Sequence, residues 1–194
     1  MSGTLKWIGF LGLLMLLAGC TASGDLLGAP EAGPAHADAR RAFPMNDVSK
    51  QRIRLSEEQS RWINSLYGDL ITRPGDRVVY YEARKWRSLS RKGYLFLIKG
   101  TRGLEVLISV AQGKVAELSA VDPSGEKVTY PQLLGCSLED CFGFSRDQNG
   151  FLQGSQKGEP ATGIRTVPEE VADAVKQALI LAEVLAWNER VSSP

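Results

Sequence analysis

Apolar residues change their spacing twice along the chain, and each change marks a new kind of element. Trp62, Ile63, Leu66, Tyr67, Leu70 and Ile71 recur three and four positions apart, as one face of a helix does. Ser56-Glu57-Glu58-Gln59 ahead of them is a capping box, in which the serine hydroxyl takes the third helical N–H and the glutamine reaches back. A helix is therefore expected from this point until Arg73-Pro74-Gly75 stops it. From Arg77 the period shortens to two. The runs RVVYYEARKW, GYLFLIK, LEVLISV, KVAELSAV and EKVTY are rich in β-branched and aromatic residues and read as five strands. The connections GTRG, AQG and DPSG are short and contain glycine, so neighbouring strands should pair antiparallel in a meander. Leu104, Val106, Ile108 and Val110 alternate with Glu105 and Ser109, and Ala116, Leu118 and Ala120 with Glu117 and Ser119, which turns one sheet face to water. Tyr94 to Ile98 is apolar without a break and fits a central strand covered on both sides. Helical spacing returns at the end. Thr166 and Glu169 frame a second capping box around Pro168, and Val171, Val175, Ala178, Leu179, Ala182, Leu185 and Ala186 form a broad face down to Trp187. The fold class is therefore α+β: an N-terminal helix, a five-stranded antiparallel meander, an irregular segment and a C-terminal helix packed on the sheet.

The first fifty residues lack such periodicity. Lys6 and the terminal amine precede an uncharged apolar run, Trp7 to Leu17, in the order of a secretion signal. That run is shorter than the ~20 residues a bilayer-spanning helix needs. Leu17-Ala18-Gly19-Cys20 closes it and resembles the lipobox of bacterial lipoproteins, in which the chain is cut before a cysteine whose thiol carries diacylglycerol. The resemblance covers the leader and Cys20 alone. It implies lipidation of Cys20 and, with Thr21 rather than Asp next, sorting to the periplasmic face of the outer membrane; in a Gram-positive host the same signal implies the outer face of the cell membrane. Residues 21 to 50 are rich in Ala, Gly and Pro, as a flexible tether would be. The expected organisation is a signal peptide over 1–19, a lipidated cysteine and tether over 20–50, and one domain over 51–194.

Charge adds an asymmetry. Without Lys6 the chain has 22 basic and 22 acidic residues, so no overall affinity for polyanions is expected and nucleic acid is not an expected partner. Between Arg73 and Arg102, however, nine cations stand against Asp76 and Glu82. Arg84, Lys85, Arg87, Arg91 and Lys92 bracket the first hairpin connection with Trp86 among them, a loop suited to an anionic envelope surface or an acidic partner. The bland alternative is a charged sheet edge that discourages aggregation.

Catalytic chemistry finds little footing. The only histidine, His36, falls in the expected tether, so a Ser-His-Asp or Cys-His arrangement has no imidazole in the domain. With Cys20 lipidated, Cys136 and Cys141 are left as a pair in an oxidising compartment, and a structural disulfide is expected rather than a metal site or a Cys-x-x-Cys redox centre. Ser145 to Gln156 matches a calcium loop only loosely, because Asp147 would be its one carboxylate; an Asn149-Gly150 turn between two short extended pieces is the simpler reading. No cofactor or metal is expected. The function expected is non-enzymatic, a lipid-anchored binding, scaffolding or assembly module with an envelope protein or anionic envelope polymer as partner. The alternatives are an inhibitor or immunity-type lipoprotein acting on a toxin or cell-wall enzyme, and a carboxylate-based hydrolase of envelope polymers.

Overall fold

The structure, a computed structural model, describes residues 34–67, 72–85, 91–100, 103–153 and 164–192. The expected leader, Cys20, Leu70, Ile71, Trp86 and Arg87 lie outside them, as do the side chains of His36, Arg91 and Lys92. The described elements are α1 (Pro34–Ala42), β1 (Asn46–Arg54), α2 (Glu57–Tyr67), β2 (Arg77–Lys85), β3 (Arg91–Lys99), β4 (Glu105–Ala111), β5 (Lys114–Val121), β6 (Lys127–Val128), α3 (Leu138–Phe142), β7 (Ser145–Arg146), β8 (Leu152–Gln153) and α4 (Glu169–Ser192). Strands β1 to β6 form one antiparallel sheet in chain order, and β7 and β8 a separate hairpin. The α+β class, the meander and a C-terminal helix on the sheet are as the spacing of apolar residues predicts.

Local chemistry sets the boundaries. The Ser56 N–H donates to Gln59 Oε1 at 2.7 Å and the Gln59 N–H to Ser56 Oγ at 3.1 Å, which is the expected capping box at the start of α2. Gln112 and Gly113, at φ of 53° and 73°, make the two-residue turn between β4 and β5. α4 begins later than its expected box: Pro168 O accepts from the Ala172 N–H at 3.1 Å as the first helical acceptor, while Thr166 belongs to a preceding 3-10 turn.

Two corrections concern the N-terminal part. Residues 34–50, expected in the tether, are α1 and most of β1, and the sheet has six strands rather than five. β1 is an edge strand whose two apolar residues, Val48 and Ile53, point to opposite faces, so no period-two pattern marks it in the sequence. α1 has nine residues, too few to be stable alone. It is held by Ala39 and Phe43, which pack with Val48 and Leu107 on Tyr81 and Leu95.

α4 lies across β3, β4 and β5 on the other face, and α2 and α3 pack on α4 in turn. The main core is therefore two-sided about this helix. Val78, Tyr80, Phe96, Val106 and Ile108 meet it from the sheet, and Ile63, Leu66, Leu138 and Leu152 belong to the same core. Ile180, Leu181 and Val184 are buried as well, so α4 is apolar nearly all round, as a helix enclosed between layers is. The outer sheet face is only partly wet: Ser109 and Ser119, expected in water, are buried beside Asp38, Arg41 and Ala42 of α1.

Candidate functional site

Cys136 and Cys141 form a disulfide with Cα atoms 5.6 Å apart, and both are buried. The loop is fastened to β5 by Val115 N–H to Cys136 O (2.9 Å) and Gly135 N–H to Val115 O (2.8 Å). Within it Ser137 caps α3 by accepting the Asp140 N–H at 3.0 Å, and its hydroxyl donates to Asp140 Oδ2 at 2.8 Å. That bond, with Lys114 nearby, holds the Asp140 carboxyl below the usual carboxylate range. The pair is a staple for a helical corner.

Arg146 ties α3 and the β7–β8 turn beside it to α4, much further along the chain. Its guanidinium donates to Glu183 of α4 at 2.7 and 3.3 Å, to the Gly150 carbonyl at 3.1 Å and to Glu139 of α3. Glu183, reinforced by Glu139, raises the Arg146 pKa. Beside it the expected calcium loop is a turn, in which Asp147 Oδ1 accepts the N–H groups of Asn149 and Phe151, each at 2.8 Å, and Asp147 and Phe151 bond through their backbones at 2.9 Å. The carboxylate is thus engaged by its own turn, as the Asn149-Gly150 reading expects. Among the described residues no group of three His, Cys, Asp or Glu is placed to hold a metal ion.

The expected basic hairpin is only partly described, and its first cation is not available as a free charge. Arg84 forms a two-pronged bond with Glu82, at 2.9 and 3.0 Å, two residues earlier on the same face of β2. Glu82 is buried, with 5% of its side chain exposed, and its carboxylate is engaged by this charge-assisted pair. Lys85 is exposed at the end of β2, and Arg91 is the backbone partner of Arg84 in the β2–β3 pairing. An i, i+2 Glu-Arg pair on a strand is legible as a same-face pair, and that signal was missed. Arg146 with Glu139 and Glu183 carries no local signal.

A cleft of about 490 Å³ opens where α4 begins, lined by Leu104, Pro123, Tyr130, Glu169, Glu170 and Asp173. Partial burial, and then the Glu169 carboxylate one helical turn earlier, raise the Asp173 pKa. A raised carboxyl in a cleft is what a general acid requires, but crowding of acids at a helix start gives the same shift. Tyr67 donates its hydroxyl to the Asp173 carbonyl at 3.2 Å, and burial holds that phenol well above its usual range. Lys176 lies 4.6 Å from the centre of the same ring. No protein-family model, no curated protein and no solved structure matches this chain.

Proposed function

We propose that the protein is a lipid-anchored, non-enzymatic binding or assembly module, held by Cys20 at the periplasmic face of the outer membrane. The order of signals at the N-terminus carries this reading: a cation, an uncharged apolar run, then Leu17-Ala18-Gly19-Cys20. Two features of the fold support it. Cys136 and Cys141 take each other as partners, so Cys20 alone of the three cysteines is left for acylation. Glu82, Glu139, Asp140, Asp147 and Glu183 are bonded to cations or turns within the fold rather than converging on an open point where a substrate would react.

Metabolic labelling with radioactive palmitate tests the anchor. The native chain is expected to be labelled and to fractionate with membranes, and Cys20→Ala to lose the label and remain as precursor. Equal labelling of the two chains would overturn the reading.

A further inference from the structure

The two edges of the sheet are treated differently. Beyond β5 the edge is covered at both ends of the strand: β6 pairs with Ala120 and Val121, while the Gly135 N–H donates to Val115 O at 2.8 Å and the Val115 N–H to Cys136 O at 2.9 Å. The other edge is β1, and among the described residues no strand pairs with its outer side. Edge strands are commonly guarded by shortness, by proline or by a bulge that twists them away. β1 has none of these, since it runs for nine residues without proline in unbroken register with β2.

The register also assigns the backbone groups that face outward. The Leu55 N–H donates to Asp76 O at 2.9 Å, one step past Arg54 and Arg77 in the same register. Bonded positions alternate in an antiparallel pair, so Asp47, Ser49, Gln51 and Ile53 turn their backbone groups to β2. The even-numbered positions, Val48, Lys50 and Arg54 among them, turn theirs to the open edge. Lys50 pairs with Tyr81 and Arg54 with Arg77, so these cations share one face of the sheet, and Arg54 and Arg77 are exposed. Asp47 and Glu82, the acids of the two strands, fall on the opposite face.

Charge selects the strand that fits this edge. A full-length antiparallel pairing of β1 with a second copy would set Lys50 opposite the same residue of that copy, and like charges directly opposite destabilise a sheet. The cations that turn away a second copy favour an acidic strand, because carboxylates opposite Lys50 and Arg54 form cross-strand pairs and Arg77 adds its charge beside Arg54. Two such carboxylates stand four positions apart. The chain itself has only Asp122 with Glu126 and Glu169 with Asp173 at that spacing, and these lie in a turn and in α4. We propose that the open edge of β1 takes up an extended segment of a partner protein as an added antiparallel strand, with one Asp or Glu opposite Lys50 and another opposite Arg54.

The proposal rests on the binding-module reading only in expecting a partner, and its test does not involve the anchor, so the two can fail separately. The chain from residue 20 onward, which contains every described element, is made with Cys20→Ser and titrated with a nine-residue peptide of threonines that carries two glutamates four positions apart. Binding is expected, with the largest amide chemical-shift changes in β1. Glutamates three positions apart point to opposite faces of the strand, and that peptide should bind about fivefold more weakly. N-methylation of the two glutamates removes N–H groups directed at β1 and should weaken binding about tenfold or more, while N-methylation of the threonine after each should leave it within about twofold. These peptide variants leave the protein untouched, so lost folding cannot account for the difference. On the protein, Lys50→Gln with Arg54→Gln should weaken binding by about fivefold to twentyfold, and Arg61→Gln with Lys114→Gln, which removes the same charge elsewhere, should leave it within about twofold. Absence of binding, equal binding by the two methylated peptides or equal losses in the two Gln pairs would each overturn the proposal. A dimer whose dilution shifts the β1 amides would overturn it as well, since a second copy then takes the edge.

Discussion

On β3, Phe96 points into the core beneath α4, while its neighbour Leu95 points the other way, under α1. Both are almost fully buried, yet their surroundings differ in scale. Phe96 belongs to a continuous core that takes in both sides of a 24-residue helix, α2, α3 and the disulfide corner. Leu95 belongs to a cluster of three buried residues roofed by nine residues of helix. The same strands thus serve two purposes. The α4 face supplies most of the burial, and the α1 face carries a small cover beside exposed cations. A face that contributes little to stability can carry charge at little cost, and the unpaired-looking placement of Arg54 against Arg77 is tolerable there.

The largest effect expected from this contrast is at Phe96. Phe96→Ala should cost about 3–5 kcal/mol, because the dense core around it cannot close over the cavity. Leu95→Ala should cost nearer 2 kcal/mol, the low end for leucine, because α1 can shift toward the sheet. Urea denaturation measures both, and hydrogen exchange separates them: Leu95→Ala should expose α1 amides while those of α4 keep their protection. A loss at Leu95 as large as that at Phe96, with α4 deprotected, would mean that both faces belong to one cooperative unit. The next effect is the disulfide. It closes a very short loop, for which chain entropy gives about 2 kcal/mol, so Cys136→Ser with Cys141→Ser should lower global stability by about that amount. Because the corner packs with the α4 core, the loss should leave local opening of α1 unchanged; a selective loosening of α1 would contradict the division.

The same contrast explains what the sequence could tell. Elements of the α4 face carry strong periodic signals, since Tyr80, Tyr94, Phe96, Ile98, Val106 and Ile108 must all turn inward together. The strands β2 to β6, the capped start of α2, the terminal helix and the cysteine pair are therefore legible, and so is the turn at Asn149-Gly150. α1 and β1 are not. A half-exposed edge strand with one apolar residue on each face has no alternation to read, and a short Ala-rich helix that buries chiefly Ala39 resembles linker composition. The charged sites divide likewise. The excess of cations after Arg73 is plain in the sequence, but which of them are neutralised depends on partners, and Glu82 takes Arg84 out of the expected hairpin. The cluster at Arg54 and Arg77 needed β1, so it became visible only with the register. Arg146 depends on Glu139 and Glu183, one on each side of it in sequence and brought together only by packing.

The smallest effect expected is electrostatic, and it lies at the rim of the α4 face. Partial burial and the Glu169 charge raise the Asp173 pKa, so the folded state favours the protonated carboxyl more than the unfolded chain does. Between the unfolded value, about 3.9, and the raised folded value, the folded state binds more protons, and stability falls as pH rises through that window. The cost is then complete at neutral pH and absent below the unfolded value. Asp173→Asn should accordingly raise stability at pH 7, by a few tenths of a kcal/mol because the side chain is exposed, and should change nothing at about pH 3. Thermal melts at the two pH values measure it. A second readout comes from Tyr67, whose phenol is raised first by burial and then by the Asp173 charge, so the substitution should lower its titration midpoint without returning it to the ordinary value. The matching change on the other face, Asp38→Asn, breaks only the exposed pair with Arg41 and should stay within about 0.5 kcal/mol at either pH. If Asp173→Asn instead destabilises the protein at pH 7, the attraction of Lys176 outweighs burial and Glu169 at this site, and the acidic start of α4 is a stabilising feature of the core helix.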